Sequence, residues 1–87
     1  MEITLSKPLK HGEELIEVIS LREPTAKEIK KIGFPFDFAN KDVNAEAVFK
    51  FIGELAALPP SVVDQLSAKD FMVCVGVVIG FFGDLQA

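Results

Sequence analysis

The sequence predicts a small α+β fold. A β-hairpin over about 2–22 precedes three to four helices, over about 25–32, 43–58, 61–66 and 68–83, in a single 1–87 domain. Three observations predict it. Apolar residues alternate with polar ones from Ile3 to Leu9 and return from Leu15 to Leu21, with His11-Gly12-Glu13 between. Alternation marks half-buried strands, and glycine among polar residues marks a turn. From Ala26 to Leu55 apolar residues recur at three- and four-residue spacing, which is helical. From Phe71 to Phe82 only Gly76 and Gly80 interrupt the apolar residues. A helix apolar on every side must be covered on every side, and a chain of 87 residues has little mass to spare for that.

The hairpin register is expected from residue matching. If facing residue numbers sum to 24, Ile3 meets Leu21, Leu5 meets Ile19 and Leu9 meets Leu15. Lys7 then meets Glu17, Lys10 meets Glu14 and Glu2 meets Arg22. Each such pair is worth about 0.2–1 kcal/mol. A two-residue His11-Gly12 loop would instead set Ile3 against Ser20, so the first register is preferred. His11 suits a turn, since histidine tolerates positive φ better than most residues.

Pro24-Thr25 ends the second strand and opens a helix, with Thr25 and Glu28 at capping-box spacing. Ala26, Ile29 and Ile32 form its apolar stripe. Lys27, Lys30 and Lys31 face water, a solvated basic face in preference to a site for phosphate or an acidic partner. Gly33 is a natural stop. Phe34-Pro35-Phe36-Asp37-Phe38 reads as a loop. Burying each phenylalanine is worth roughly 1.5–3 kcal/mol, so the three are expected to pin the loop to the core, or to contribute one or two rings to a binding patch. Asp42 or Asn44 caps the next helix, whose inner face is Val48, Phe51, Ile52 and Leu55. Pro59-Pro60 separates it from two helix starts, Ser61 with Asp64 and Ser67 with Asp70. Gly76, Gly80 and Gly83 share one face of the last helix. They are expected to admit a close helix neighbour, either the 43–58 helix or another chain.

Composition excludes several classes of function. A net charge of −4 and a pI near 4.8 argue against a nucleic-acid binder, which needs a basic face. The deficit lies in residues 34–87, with three basic and seven acidic side chains, whereas residues 1–33 balance at six and six. One cysteine forms no internal disulfide and suits a reducing compartment. The first twenty residues carry charges throughout, unlike a secretory signal, and the apolar run is shorter than the roughly 20 residues a membrane span needs. A soluble cytoplasmic chain is expected.

Catalytic constellations are missing from the sequence. Cys74 lies within the apolar run with no histidine or second cysteine near it, so it reads as a small core hydrophobe. His11 is the single histidine. No metal-ligand cluster, phosphate-cradling loop or nucleophile elbow is visible. No enzyme and no cofactor are expected. The candidate protein-binding residues are Phe34, Phe36, Phe38, Phe71, Val75, Val78, Phe81 and Phe82, with Gly76, Gly80 and Gly83 for helix packing. Asp64, Asp70 and Asp84 would favour basic residues at a partner's rim. A small structural or regulatory homo-oligomer, burying the last helix against itself, is the alternative reading.

Two stretches carry a resemblance. Leu21-Arg22-Glu23-Pro24-Thr25, and the run from Leu55 through Leu58-Pro59-Pro60-Ser61-Val62-Val63-Asp64-Gln65-Leu66-Ser67 to Phe71, resemble the tail assembly chaperones of Mu-like and related contractile-tailed bacteriophages. The likeness extends from about Ile3 to Gly83 and is weakest at Gly33–Asn40. It implies a non-enzymatic protein of the host cytoplasm, phage- or prophage-encoded. Such a protein would keep the helical tape measure protein soluble during tail assembly and be absent from the mature virion. The tail-tube protein is a second candidate partner. Some such families also make an extended form by ribosomal frameshifting.

Overall fold

The computed structural model describes residues 1–37 and 39–83, and its architecture is α+β. The hairpin comprises β1 (Glu2–His11) and β2 (Glu14–Ser20), antiparallel to each other. Then come α1 (Ala26–Ile32), a short antiparallel pair β3 (Phe36–Asp37) and β4 (Asp42–Val43), α2 (Ala45–Ala56), the single turn α3 (Pro60–Val63) and α4 (Ala68–Gly83).

The hairpin is made, but in neither expected register. His11 pairs with Glu14, so the turn is Gly12-Glu13 and His11 closes the ladder as an exposed strand residue. Gly12 has φ 66 at the first central position, where a type II′ turn requires a positive value. From the turn the pairs run Lys10 with Leu15 and Leu9 with Ile16; at the open end they run Thr4 with Val18, Ile3 with Ile19 and Glu2 with Ser20. Between these blocks, four residues of β1, Leu5 to Pro8, stand against Glu17 alone. Pro8 has no N–H and cannot donate to a ladder, so a bulge is the natural place for it. Ile3 therefore faces Ile19 rather than Leu21, which hydrogen-bonds Met1 in both directions at 2.8 and 2.9 Å. The expected cross-strand ion pairs do not form, because Lys10 lies opposite Leu15 and Arg22 turns to Glu28. The expected face is kept by Ile3, Leu5, Leu9, Ile19 and Leu21, which are all buried, but not by Leu15, which lies opposite Lys10 rather than Leu9 and is 68 % exposed.

A carboxylate fills the bulge. Asp70, in the first turn of α4, accepts the Ser6 N–H on both oxygens (3.0 and 3.1 Å) and the Lys7 N–H at 3.3 Å. Ser67 caps the helix, its hydroxyl oxygen accepting the Asp70 N–H at 3.2 Å. The expected reciprocal bond from Asp70 to the cap is replaced by the bonds to β1. Gln65 makes a second fastening, accepting the Lys10 N–H and donating to the Lys10 carbonyl, both at 2.7 Å.

The junction before α1 is also held by a buried acid. Glu28 Oε1 accepts the Thr25 N–H (2.9 Å), the Thr25 hydroxyl (3.0 Å) and Arg22 Nη1 (2.9 Å). The Thr25–Glu28 spacing thus does close the start of the helix, with Arg22 added. Asn44, rather than Asp42, caps α2 by accepting the Ala47 N–H at 3.1 Å. Ser61 caps nothing: Pro60 occupies the first position of α3 and Ser61 lies inside the turn. At the end of α2, Ala57 adopts a left-handed conformation (φ 57) and the Leu58 N–H returns to the Gly53 carbonyl at 2.9 Å. A Cβ on Gly53 would meet the Leu58 carbonyl oxygen at 3.2 Å, so the glycine permits this tight closure.

α2 lies across the centre. Val48, Phe51 and Ile52 are fully buried between the hairpin, α3 and α4, and Phe51 meets Phe82 edge-on at 5.8 Å. The Phe34 loop, expected to be irregular, contains the β3–β4 pair. Asp37 folds its turn by accepting the Ala39 and Asn40 N–H groups at 2.9 and 3.2 Å.

These fastenings set the response to acid. Hydrogen bonds from Arg22 and Thr25 lower the Glu28 pKa from 4.5 to about 2. Those from Ser6 and Lys7 hold Asp70 below its usual value, against the opposing effect of burial. The unfolded chain therefore binds more protons in acid. The stabilisation is complete above about pH 4.5 and is lost as the pH falls through the lowered pKa values, toward about 2 for Glu28. Urea midpoints are expected to fall steeply across that window. Asp70→Asn should start from a lower midpoint and fall less, because its amide turns a donor toward two N–H groups.

Candidate functional site

α4 is where the apolar surplus of the chain is concentrated, and the Asp70 bond determines which side of it is covered. Cys74, Val75, Val78 and Phe82 follow Asp70 on the inner face and are buried. Phe71, Val77, Ile79 and Phe81 are half-buried at the edges. Met72 (64 % exposed), Val73 (47 % exposed), Gly76, Gly80 and Gly83 make the outer face. A helix apolar nearly all round is thus left open along one side. Val73, Gly76, Val77, Gly80 and Phe81, together with Met1, line a shallow trough of about 430 Å³.

The sequence-predicted residues divide accordingly. Phe81 borders the trough and Phe71 lies at the helix edge. Val75, Val78 and Phe82 belong to the core. Phe82 in particular is clamped between Phe51 and Phe34, the latter edge-on at 6.2 Å. Phe34 is 55 % exposed on its other side, and Phe36 is half-buried in β3. Phe38 and Asp84 lie outside the described residues. Asp70 is spent on β1 and unavailable to a partner, whereas Asp64 is exposed.

No described residue approaches within 4 Å of a Cβ built on Gly76, Gly80 or Gly83. Packing of this glycine face on α2 is therefore not what the structure contains; α2 meets the opposite face, through contacts such as Phe51 with Phe82. Sequence reasoning missed Met72, Val73 and Val77 as surface residues. The three glycines share their helical phase with Met72 and Val73, but a glycine face reads equally well as a packing face, so it could not mark the open side.

Among the described residues no group of three or more His, Cys, Asp or Glu could hold a metal ion. No helix there is long and apolar enough to cross a membrane. Cys74 is buried, and desolvation raises its thiol pKa to about 11, with a smaller push from the Asp70 charge.

Fold and surface together define a small α+β protein whose distinguishing feature is uncovered apolar helix, not a cluster of reactive groups. The chain belongs to the phage tail assembly chaperone family: the family described as "Phage tail assembly chaperone proteins, E, or 41 or 14" matches residues 2–83. It is 32 % identical over 81 residues to tail assembly protein E of Escherichia phage P2, covering 91 % of this chain and 86 % of that one. Identity to tail assembly protein E′ of the same phage is also 32 % over 81 residues, with 91 % of this chain aligned but only 55 % of E′. No solved structure matches the chain.

Cys74 and His11 provide a test of the non-reactive reading. Native protein at pH 8 is expected to resist thiol reagents that label Cys74 after denaturation. Cys74→Ala should lower stability by about 1 kcal/mol through lost packing, and His11→Asn should leave denaturation unchanged. Rapid labelling of the native thiol would contradict this.

Proposed function

We propose that this chain is a non-enzymatic chaperone that binds the tape measure protein and keeps its apolar helical segments soluble while the tail is assembled in the host cytoplasm. The observation that carries the reading is the open apolar side of α4. Met72, Val73, Val77 and Phe81 form a stripe along the helix, and Gly76 and Gly80 leave a notch in it. An amphipathic client helix laid against such a stripe buries its own apolar face, an established mode of recognition. The glycines remove the side chains that would hold two helix backbones apart. Phe34, at the end of α4 beside Phe82, would extend the contact.

The experiment is co-expression with the tape measure protein. Wild type should keep the client soluble and co-purify with it. Met72→Glu and Val73→Asp, both at exposed positions, should abolish capture while far-ultraviolet circular dichroism stays unchanged. Capture retained by both variants would remove α4 as the binding surface. Failure of the wild type to capture the tape measure protein would remove that protein as the client. Phe82→Ser is unsuitable, since loss of a buried phenylalanine costs about 3–5 kcal/mol and would unfold the domain.

A further inference from the structure

Methionine is among the residues most often fully buried in folded proteins. This chain has two, Met1 and Met72, and both are exposed, at 69 % and 64 %. Both also stand at the open side of α4. Met72 is on its outer face next to Val73, and Met1 lines the trough with Val73, Gly76 and Gly80. The remaining sulfur of the chain is placed differently. Cys74, on the inner face of the same helix, is fully buried, and a pKa raised to about 11 keeps its thiol protonated at neutral pH.

Glycine occupies three outer positions of α4, so the large apolar side chains that stand free there are Met72 and Val73. Met72 is the longer of the two. An unbranched thioether adapts its shape to whatever apolar helix is laid against it, which suits a permissive contact. The same sulfur is open to two-electron oxidants, and the sulfoxide it forms is polar and chiral. We propose that Met72 is an oxidation-sensitive site through which hydrogen peroxide switches off the α4 surface, with Met1 as a secondary target, while the fold and Cys74 stay intact. The inference rests on the reading of α4 as the client surface.

The step is balanced by peroxide alone. A thioether lone pair attacks one oxygen of hydrogen peroxide, the O–O bond breaks and an S–O bond forms. The departing hydroxide takes the proton from the transferred oxygen and leaves as water. Sulfur is oxidised and the peroxide reduced. A thioether has no proton to lose, so no neighbouring base is required and exposure decides which methionine reacts. A thiol instead reacts as its thiolate, and Cys74 has neither the charge nor the access. A sulfoxide at position 72 sets a strong hydrogen-bond acceptor in the stripe, and an apolar helix laid over it offers no donor. In the lone chain the same group faces water, so stability is preserved.

Native full-length protein is treated with hydrogen peroxide, and peptide masses locate the added oxygen. Met72 should be oxidised as fast as in urea, and Cys74 should be spared. The oxidised chain should keep its circular dichroism and urea midpoint, bind an octyl column less tightly, and capture the tape measure protein about ten- to a hundredfold more weakly. Met72→Leu, a volume-conserving change, should capture with or without peroxide. Methionine sulfoxide reductases for both epimers should restore the wild type. Protection of Met72 in the native chain, a lowered urea midpoint, retention or capture unaltered by oxidation, or equal loss in Met72→Leu would each overturn the proposal. Absence of capture before any oxidant is added would count against the tape measure reading instead, and the octyl column, which needs no client, would still decide this one.

Discussion

The bond between Asp70 and the bulge of β1 orients the rest of the molecule. A carboxylate with two oxygens meets two consecutive backbone N–H groups, Ser6 and Lys7, that the bulge has freed from the ladder. Such a contact is directional. Turning α4 by one residue, about 100°, would carry Asp70 away from β1 and take from the Ser6 and Lys7 N–H groups the carboxylate that they bond. With Asp70 held, Cys74, Val75, Val78 and Phe82 fall on the side of α2 and the hairpin, and Met72, Val73, Gly76 and Gly80 fall outside. Hydrophobic burial alone could not choose this rotation, because α4 is apolar on nearly every side.

The same physics recurs at the other junctions. Glu28 gathers Arg22 and both donors of Thr25, and Gln65 pairs with both backbone groups of Lys10. Arg22, Thr25 and Gln65 lie in the two stretches that carry the resemblance to tail assembly chaperones, and Glu28 follows the first of them by three residues. What looks chemically bland in sequence is a set of polar fasteners that tie the hairpin and helices to one another. Both buried acids, Glu28 and Asp70, are hydrogen-bonded, and no buried side-chain nitrogen or oxygen among the described residues lacks a partner.

Two hollows of the surface differ in character. The α4 stripe has apolar groups and a glycine notch, so it selects for an apolar helix able to come close but reads little else. The hollow between α1, α2 and α3 has an apolar floor, and the lysines at its rim, Lys31 and Lys50, are each paired with a carboxylate, Glu54 and Glu46.

The sequence by itself determined the α+β class, the order of hairpin and helices, the buried face of β1, the inner face of α2 and the caps at Thr25 and Ser67, while the choice of Asn44 over Asp42 as the α2 cap came from the structure. The former all follow from local periodicity and from side chains reaching backbone a few residues away. Pro8 was a legible warning of the bulge, but its depth was not, because the donors it frees are satisfied by an acid 64 residues distant from Ser6. Only the tertiary structure decided the register of the hairpin, the assignment of Val75, Val78 and Phe82 to the core, and the open side of α4. A pattern with apolar residues in every direction contains no phase; the phase came from one polar contact made across the fold.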